Sequence, residues 1–391
     1  MARELSVRLN GIEVGTLSLV NGKMEFLYSD SCEYPISLSL PLSKEPYKEK
    51  ICRAYFGGLL PENPNMRDIL AKKYKIGINN DFKLLEAIGR DCAGAISFRH
   101  KDEPELEENF IKIKGRVLSN TELKKLIEEL PYKPYMGNRI SLAGAQEKTA
   151  VCVINGEIAI PDTDIPTTHI IKTALPKYAQ SIQNEYICMK TAQKIGIDVP
   201  EVEIKNIDGL EFLMVERFDR EFQNGKLKRI LQEDFAQSLG VQSKDKYDVT
   251  FKDCLWVLNQ TTTPARIKLE FVKRVVFNYL IGNTDAHAKN FSISFYAPND
   301  IDLTPAYDLL CSSVYDCVQR IAMKIGKAKF YKDVTDKDWE LFAQDIDISP
   351  KIVKSELERQ KSVITDILKE VLNEHKCEIG NKILEYVQSN L

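Results

Sequence analysis

The residues best suited by type and spacing to do chemistry lie in one run, Ile281-Gly-Asn-Thr-Asp285-Ala-His287-Ala-Lys-Asn290-Phe291, and in Asp308, seventeen residues after Phe291. An aspartate followed five residues later by an asparagine is the spacing of a phosphoryl-transfer loop. In such loops the aspartate receives a hydroxyl proton, the asparagine binds a metal and a later aspartate binds Mg²⁺. The chain between them alternates apolar and polar from Phe291 to Tyr296, turns at Ala297-Pro-Asn-Asp300 and returns as a short strand over Ile301 to Leu303. A hairpin there would bring Asn290 and Asp308 back beside each other. The same residues also suit an ordinary loop of solvated side chains, and spacing alone does not choose between the two.

Composition narrows the class. A chain of 391 residues is long enough for two domains or one large bilobal unit, and 43% hydrophobic content is ample for a core. A net charge of -3 gives no general electrostatic reason for independent binding to nucleic acid. The sequence shows no run approaching a membrane span, and Met1-Ala-Arg-Glu-Leu-Ser lacks an apolar signal segment, so a cytoplasmic protein with no membrane role is expected. Nine cysteines, an odd number without a C-x-x-C pair, read as reduced and buried thiols. Four histidines, none paired at ligand spacing, give no zinc-site signature.

The elements that must position the loop fall into two kinds. Glu4 to Leu9 and Glu13 to Val20 alternate around Asn10-Gly11, a hairpin signal, and Lys23 to Tyr28 and Ile36 to Leu40 add strands. A helical stretch is expected from Tyr55 through Met66 to Tyr74, and others over Asp81 to Ile88 and Thr121 to Leu130. Gly94 to Phe98 looks like a strand, and the acidic run from Lys101 to Asn109 like a solvated connector. Strands follow at Thr149 to Ile154, Ile158 to Ile160, Thr168 to Lys172, Val202 to Ile204 and Phe212 to Val215, with a helix from Ser181 to Ile195 ended by Gly196. Beyond Asp219 helices dominate, at Glu233 to Leu239, Asp253 to Leu258, Ile267 to Ile281 and Lys337 to Gln344, with two long ones at the C-terminus. Strands first and helices later, with the catalytic loop opening the second part, is the order of kinase lobes.

Three features bear on nucleotide chemistry. Ser141-Leu-Ala143-Gly144-Ala145-Gln146-Glu147-Lys148-Thr149 is not a Walker loop, because Glu147 stands where glycine should precede the lysine and a strand follows. A loop of small residues before a strand can still lay backbone N–H groups over phosphates. Lys172 ends a short apolar strand, where an ammonium can be held against phosphate oxygens or simply reach for solvent. Glu185, thirteen residues on, could orient it. Leu213-Met-Val-Glu216-Arg217-Phe218-Asp219 is an apolar strand running into a polar junction, which suits backbone contacts to adenine or an ordinary strand end.

Together these segments resemble the HipA family, serine/threonine kinases of bacterial toxin–antitoxin pairs, over nearly the whole chain. The resemblance rests on Ser141 to Ala150, Thr167-Thr-His-Ile-Ile-Lys172, Asn184-Glu-Tyr, Val215-Glu-Arg-Phe-Asp-Arg220, Gln232-Glu-Asp234, the Ile281 to Phe291 run and Leu303-Thr-Pro-Ala-Tyr-Asp308, in that order; Phe56-Gly-Gly-Leu-Leu-Pro-Glu adds the family's small N-terminal domain. It implies an α+β, bilobal protein-kinase-like fold with an added β-rich N-terminal subdomain (1–100), a kinase N-lobe (101–215) and an all-helical C-lobe (216–391). Carried over, it makes Asp285 the catalytic base, Asn290 and Asp308 the Mg²⁺ ligands, Lys172 a phosphate ligand and Ala143 to Lys148 the triphosphate cradle. Glu216, Arg217 and Phe218 then lie at the adenine, with Glu216 and Phe218 presenting backbone groups; His287, two residues past Asp285, suits bracing the loop by hydrogen bonds. Ser141 falls at an inhibitory autophosphorylation site. Ala286 stands where a small residue, often glycine, follows the catalytic aspartate.

The resemblance also implies ATP as phosphate donor, a helix-turn-helix antitoxin of the HipB type as partner, and DNA contact mainly through that antitoxin. Its implied target is a cytosolic protein such as an aminoacyl-tRNA synthetase, especially the glutamyl enzyme. A small-molecule kinase on the same scaffold, or a co-repressor acting chiefly through the antitoxin, stays open at this point.

Overall fold

In the computed structural model, residues 3–103, 111–130, 148–224, 226–316 and 319–391 are described. Ser141 and the loop residues Ala143 to Glu147 lie outside them, as does most of the acidic connector. The chain divides into two compact units with interleaved membership. The first takes the described residues of 1–173, 205–244 and 294–298, and the second those of 174–204, 245–293 and 299–391.

The first unit opens on β1 (Arg3–Leu9), β2 (Ile12–Val20) and β3 (Lys23–Tyr28). Asn10 and Gly11 both take positive φ, 49° and 88°, which is what a two-residue turn between antiparallel strands requires. Helices α1 (Glu49–Gly58), α2 (Pro64–Tyr74) and α3 (Asp81–Ile88) follow, and β4 (Ile96–Arg99) returns to give the sheet order β3-β2-β1-β4. Leu5, Val7, Leu17 and Phe26 meet Phe56 and Phe98 in one buried cluster. The Phe56 ring stands edge-on to Phe26 at 5.2 Å and to Phe98 at 5.7 Å.

Short strands β5 (Ile111–Lys112) and β6 (Gly115–Val117) lead to α4 (Asn120–Glu129), started by a Ser119/Glu122 capping box. Then come β7 (Lys148–Ile154), β8 (Glu157–Pro161) and β9 (His169–Thr173). In the second unit α5 (Ser181–Ile195) ends at Gly196, whose φ of 92° stops the helix in the left-handed region. The chain crosses back into the first unit within β10 (Val202–Ile207), which with β11 (Leu210–Glu216) completes a six-stranded sheet of order β10-β11-β9-β7-β8-β6. A hairpin of β12 (Arg220–Gln223) and β13 (Lys226–Arg229), then β14 (Leu231–Asp234) and the single turn α6 (Phe235–Ser238), finish that unit's main course.

The second unit is mainly helical, with α7 (Phe251–Asn259), α8 (Pro264–Leu280), α9 (Asp336–Asp345), α10 (Pro350–Glu374) and α11 (Glu378–Ser389); between α8 and α9 the hairpin of β15 (Ser292–Ala297) and β16 (Asp300–Leu303) starts and ends in this unit, while residues 294–298 count with the first. Its organising element is α10, whose buried Val353, Leu357, Ile364, Leu368 and Val371 recur at helical spacing. That stripe packs against α5, α8, α9 and α11.

Four sequence expectations are corrected. Ile36 to Leu40 is not a strand but a loop with one isolated bridge, Ser37 to Leu40. Pro35 and Pro41 bound it, and the Leu38 N–H donates to the Glu233 carboxylate at 2.9 Å instead of to a ladder. The helical stretch through Met66 is two helices, because Pro64 cannot continue a helix but can start one, and the Asn63 side chain accepts from Asn65 N–H at 2.9 Å to cap it. The Glu233 to Leu239 helix shrinks to one turn, since Asp234 is its N-cap and Glu233 belongs to β14. The β12–β13 hairpin had no place in a region expected to be helical.

Glu233 carries a testable consequence. Burial raises its carboxyl to about 7, against the Leu38 N–H bond that lowers it, with nearby Asp234 adding a smaller upward push. A carboxyl that stays protonated in the folded state contributes stability below its unfolded value, and this is lost as pH rises through about 7. Glu233→Gln keeps an acceptor for Leu38 and removes the titration. Its urea midpoint should therefore fall less than that of the parent between pH 5 and pH 8. Parallel pH profiles for the two proteins would rule this out.

Candidate active site

The loop that opens the second part of the chain is built by the end of α8. Gly282, two residues past the helix, takes φ of 69°, and a Cβ there would sit 2.5 Å from the Tyr386 ring and 2.6 Å from Ser313 Oγ. No other residue fits both the turn and the approach. Asn283 then acts as a clamp. Its N–H donates to the Asn278 carbonyl at 2.9 Å and its side-chain Nδ2 to Asn278 Oδ1 at 2.7 Å. Its Oδ1 accepts the Asp285 N–H at 3.2 Å, and its Nδ2 also reaches the Asp308 carbonyl at 3.3 Å. One carboxamide thus ties the backbones of both aspartates. The Tyr331 hydroxyl anchors the clamp through the Asn283 carbonyl at 2.6 Å.

The loop closes on itself around Asp285. Its carbonyl accepts the His287 N–H at 2.7 Å and Asn290 Nδ2 at 3.0 Å, and the His287 carbonyl accepts the Asn290 N–H at 2.9 Å. Because Nδ2 is committed to Asp285, Oδ1 is the Asn290 atom suited to coordination. His287 is buried, and its ring meets Tyr247 edge-on at 5.1 Å. The Asp285 side chain is exposed, and its Oδ1 accepts the Tyr247 hydroxyl at 2.7 Å.

The return strand behaves as its alternation implied. β15 and β16 are neighbours in one sheet, and the Thr304 N–H donates to the Ser292 carbonyl at 3.0 Å. Asp308 follows with φ of 52°, a left-handed conformation that aspartate tolerates better than most residues. The chain beyond it is fixed from α5: Asn184 Nδ2 donates to the Cys311 carbonyl at 2.9 Å, and Asn184 Oδ1 accepts the Cys311 N–H at 2.8 Å. Ser312 Oγ accepts the Thr284 N–H at 2.6 Å, linking the segment after Asp308 back to the loop before Asp285. An amide oxygen and a carboxylate on opposite ends of a hairpin are the hard donors that Mg²⁺ takes, with phosphates and water completing its shell.

In the first unit, Lys148 and Lys172 are direct cross-strand partners on β7 and β9. Directly opposite residues share a face of the sheet, so the two ammonium groups stand on one side, Lys172 buried and Lys148 half-buried. Glu216 pairs with His169 at the end of β11. Glu216 and Phe218 are half-buried and Arg217 between them is buried. The Arg217 N–H donates to the Thr168 carbonyl at 2.9 Å and its guanidinium enters a buried ionic cluster. Glu185 is buried in α5, in the second unit.

That cluster joins the N-terminal sheet region to the strands of the nucleotide half. Asp91 accepts from Arg220 Nη2 at 2.9 Å, Thr167 Oγ1 at 2.7 Å and the Thr167 N–H at 3.0 Å, with Arg217 Nη1 at 3.5 Å and Arg229 Nη2 at 3.6 Å. Asp219 receives Arg217 Nε at 3.0 Å, Arg217 Nη2 at 2.7 Å and the Gly94 N–H at 2.6 Å. Burial alone would raise the Asp91 carboxyl, but Arg220 and then Arg217 outweigh it and hold it well below the usual carboxylate range. Sequence reasoning did not find Asp91, Asn283 or Tyr247. Asn283 sits inside the motif, but a backbone clamp has no spacing signature, and Tyr247 and Asp91 lie 38 and 126 residues from their partners Asp285 and Arg217.

A mixed α+β fold with lysines facing from a sheet, and an Asp/Asn loop and later Asp set by a hairpin on a helical unit, is kinase-like. Comparison with known proteins agrees. The HipA-like C-terminal domain matches residues 140–374 and the HipA N-terminal domain residues 5–99, so the chain belongs to the HipA family. Y4mE of Sinorhizobium fredii, which bears a kinase name, is 36% identical and the match covers 90% of this chain and 88% of that one. The serine/threonine-protein kinase toxin HipA of Shewanella oneidensis is 32% identical over 75% of this chain and 70% of its own length. A solved Shewanella oneidensis chain, from a toxin–antitoxin complex of HipA, HipB and operator DNA, superposes with a TM-score of 0.85 at 26% identity, covering 99% of this chain and 95% of that one. The protein is an enzyme of the kinase class. Among the described residues no helix is long and apolar enough to cross a membrane.

Proposed function

We propose that the protein transfers the γ-phosphate of ATP to serine or threonine hydroxyls of a cytosolic protein, as the toxin of a toxin–antitoxin pair. The observation that carries this reading is the Asn283 clamp, which ties the backbones of Asp285 and Asp308 to one side chain. In this reading Asp285 orients the acceptor hydroxyl and takes its proton. Asn290 Oδ1 and the Asp308 carboxylate would hold Mg²⁺, which when bound neutralises charge on the phosphate oxygens. Lys172 and Lys148, with the backbone of Ala143 to Glu147, hold the triphosphate. Glu216, Arg217 and Phe218 contribute main-chain groups to the adenine, most directly Glu216 and Phe218, since the Arg217 N–H and side chain are both engaged. His287 braces the loop through its own backbone bonds.

Ser141 is the site of inhibitory autophosphorylation in this reading, and the division into 1–100, 101–215 and 216–391 is its functional partition. The partner is a helix-turn-helix antitoxin of the HipB type, through which DNA is engaged; the likeness to a HipA chain solved with HipB and operator DNA supports this. An aminoacyl-tRNA synthetase, the glutamyl enzyme in particular, is the proposed target. Growth of a bacterial host tests the toxin role. Induction of the chain should arrest growth, Asp285→Asn should not, and a co-expressed helix-turn-helix protein encoded beside it should restore growth. Normal growth at high levels of the unaltered chain contradicts the toxin reading.

A further inference from the structure

A general base must present one carboxylate oxygen to the acceptor at a fixed angle, and the final torsion of an aspartate is broad and nearly two-fold unless something holds it. Among the described residues, the side chain that hydrogen-bonds the Asp285 carboxylate is Tyr247, from hydroxyl to Oδ1 at 2.7 Å. The Asp285 N–H and carbonyl are fixed by Asn283, His287 and Asn290, but those bonds set the backbone and not the carboxylate.

Tyr247 is itself held on both sides. It precedes α7, whose start is fixed by a capping box between Thr250 and Asp253. Its ring stands edge-on to the buried His287 at 5.1 Å and 80°, two residues along the loop from Asp285. The residue is 51% exposed, so it is not a core side chain. Its hydroxyl is on the exposed Asp285 carboxylate itself.

We propose that Tyr247 is the positioning residue of the phosphoryl-transfer base. Its hydroxyl holds Oδ1, which commits Oδ2 to the acceptor. In the step so served, the acceptor oxygen forms a bond to the γ-phosphorus, the bond from that phosphorus to the ADP oxygen breaks, and the acceptor proton passes to Oδ2. Tyr247 neither gives nor takes a proton. This inference rests on the kinase reading and adds to it a residue outside the resemblance.

The test uses the full chain with Mg²⁺ and γ-labelled ATP, counting all label that leaves ATP, whether to water, to the chain itself or to added dephosphorylated casein. Tyr247→Phe keeps the ring against His287 and removes only the hydroxyl. Its kcat should fall between about tenfold and a hundredfold, the scale of a misaligned catalytic group, while KM for ATP and ADP affinity by calorimetry stay within about twofold. Added to Asp285→Asn, it should slow the residual reaction no further, because a residue acting through Asp285 has nothing left to act on. An unchanged kcat overturns the proposal. So does a raised kcat, which would make the hydroxyl a placeholder that blocks the acceptor, and so does a matching loss of ADP affinity, which would make the role structural. No label transfer by the unaltered chain would bring down the kinase reading and this inference with it; a normal parent with a normal Tyr247→Phe brings down this inference alone.

Discussion

Asp308→Asn should cut phosphoryl transfer at least about a hundredfold and weaken binding of Mg-ATP, whereas Asp285→Asn should cut transfer to a similar extent and leave binding within about twofold. The difference follows from the role proposed for each side chain. Asp308 is the carboxylate of the two hard donors at the ends of the β15–β16 hairpin, so its loss removes ground-state and transition-state interactions together. In the proposed function Asp285 would meet the acceptor hydroxyl, an interaction that matters when the proton moves. Each substitution removes a preorganised electrostatic partner, worth roughly 3–4 kcal/mol or a hundred- to thousandfold in rate. Neither should disturb the fold, because the Asn283 clamp holds both residues by main-chain atoms that survive the change. Calorimetric titration with Mg-ATP beside single-turnover transfer reads the two effects separately. Wild-type transfer by either variant would remove that aspartate from the chemistry.

The largest effect on stability is expected at Asp91. Its carboxylate lies among three guanidiniums, those of Arg217, Arg220 and Arg229, and the Arg217 and Arg220 side chains are 2% and 0% exposed. Removing one partner of a buried ionic cluster leaves charge without compensation, which costs about 3–5 kcal/mol. Asp91→Ala should therefore lower the urea-unfolding free energy of the full chain by about that amount, with Asp91→Asn milder because it keeps an acceptor for Thr167. The pH sign follows from the depressed carboxyl. Its contribution is present above the unfolded value near 4 and disappears as acid protonates Asp91. A loss under about 1 kcal/mol in Asp91→Ala would mean the arginines find other partners or water.

What could be read from the chain and what could not divides along the range of the interaction. The Asn10-Gly11 hairpin, Asp81 to Ile88, the Ser181 to Ile195 helix with its Gly196 stop and the hairpin between Asn290 and Asp308 all rest on signals within a few residues, and each forms. Ile36 to Leu40 has strand-like residues but no strand, because its amide at Leu38 is claimed by Glu233, 195 residues away. Asp91 and Tyr247 escaped for the same reason. Nothing near either marks it, and its meaning comes from arginines or an aspartate brought to it by the fold. Asn184 stood in a motif without a role until its two bonds to Cys311 placed it beneath the segment that follows Asp308.

The central claim is that Asp285 directs the γ-phosphate to a protein hydroxyl. Its most direct measurement gives Mg²⁺ and γ-labelled ATP to the purified chain with a bacterial extract, then separates labelled protein from labelled small molecules and identifies the modified residues by mass spectrometry. Label is expected on serine or threonine of a protein, including Ser141 of the chain itself, and at most about a hundredth as much when Asp285→Asn replaces the parent. Label found only on small molecules, or protein labelling that stays at the parent's level in Asp285→Asn, would contradict it.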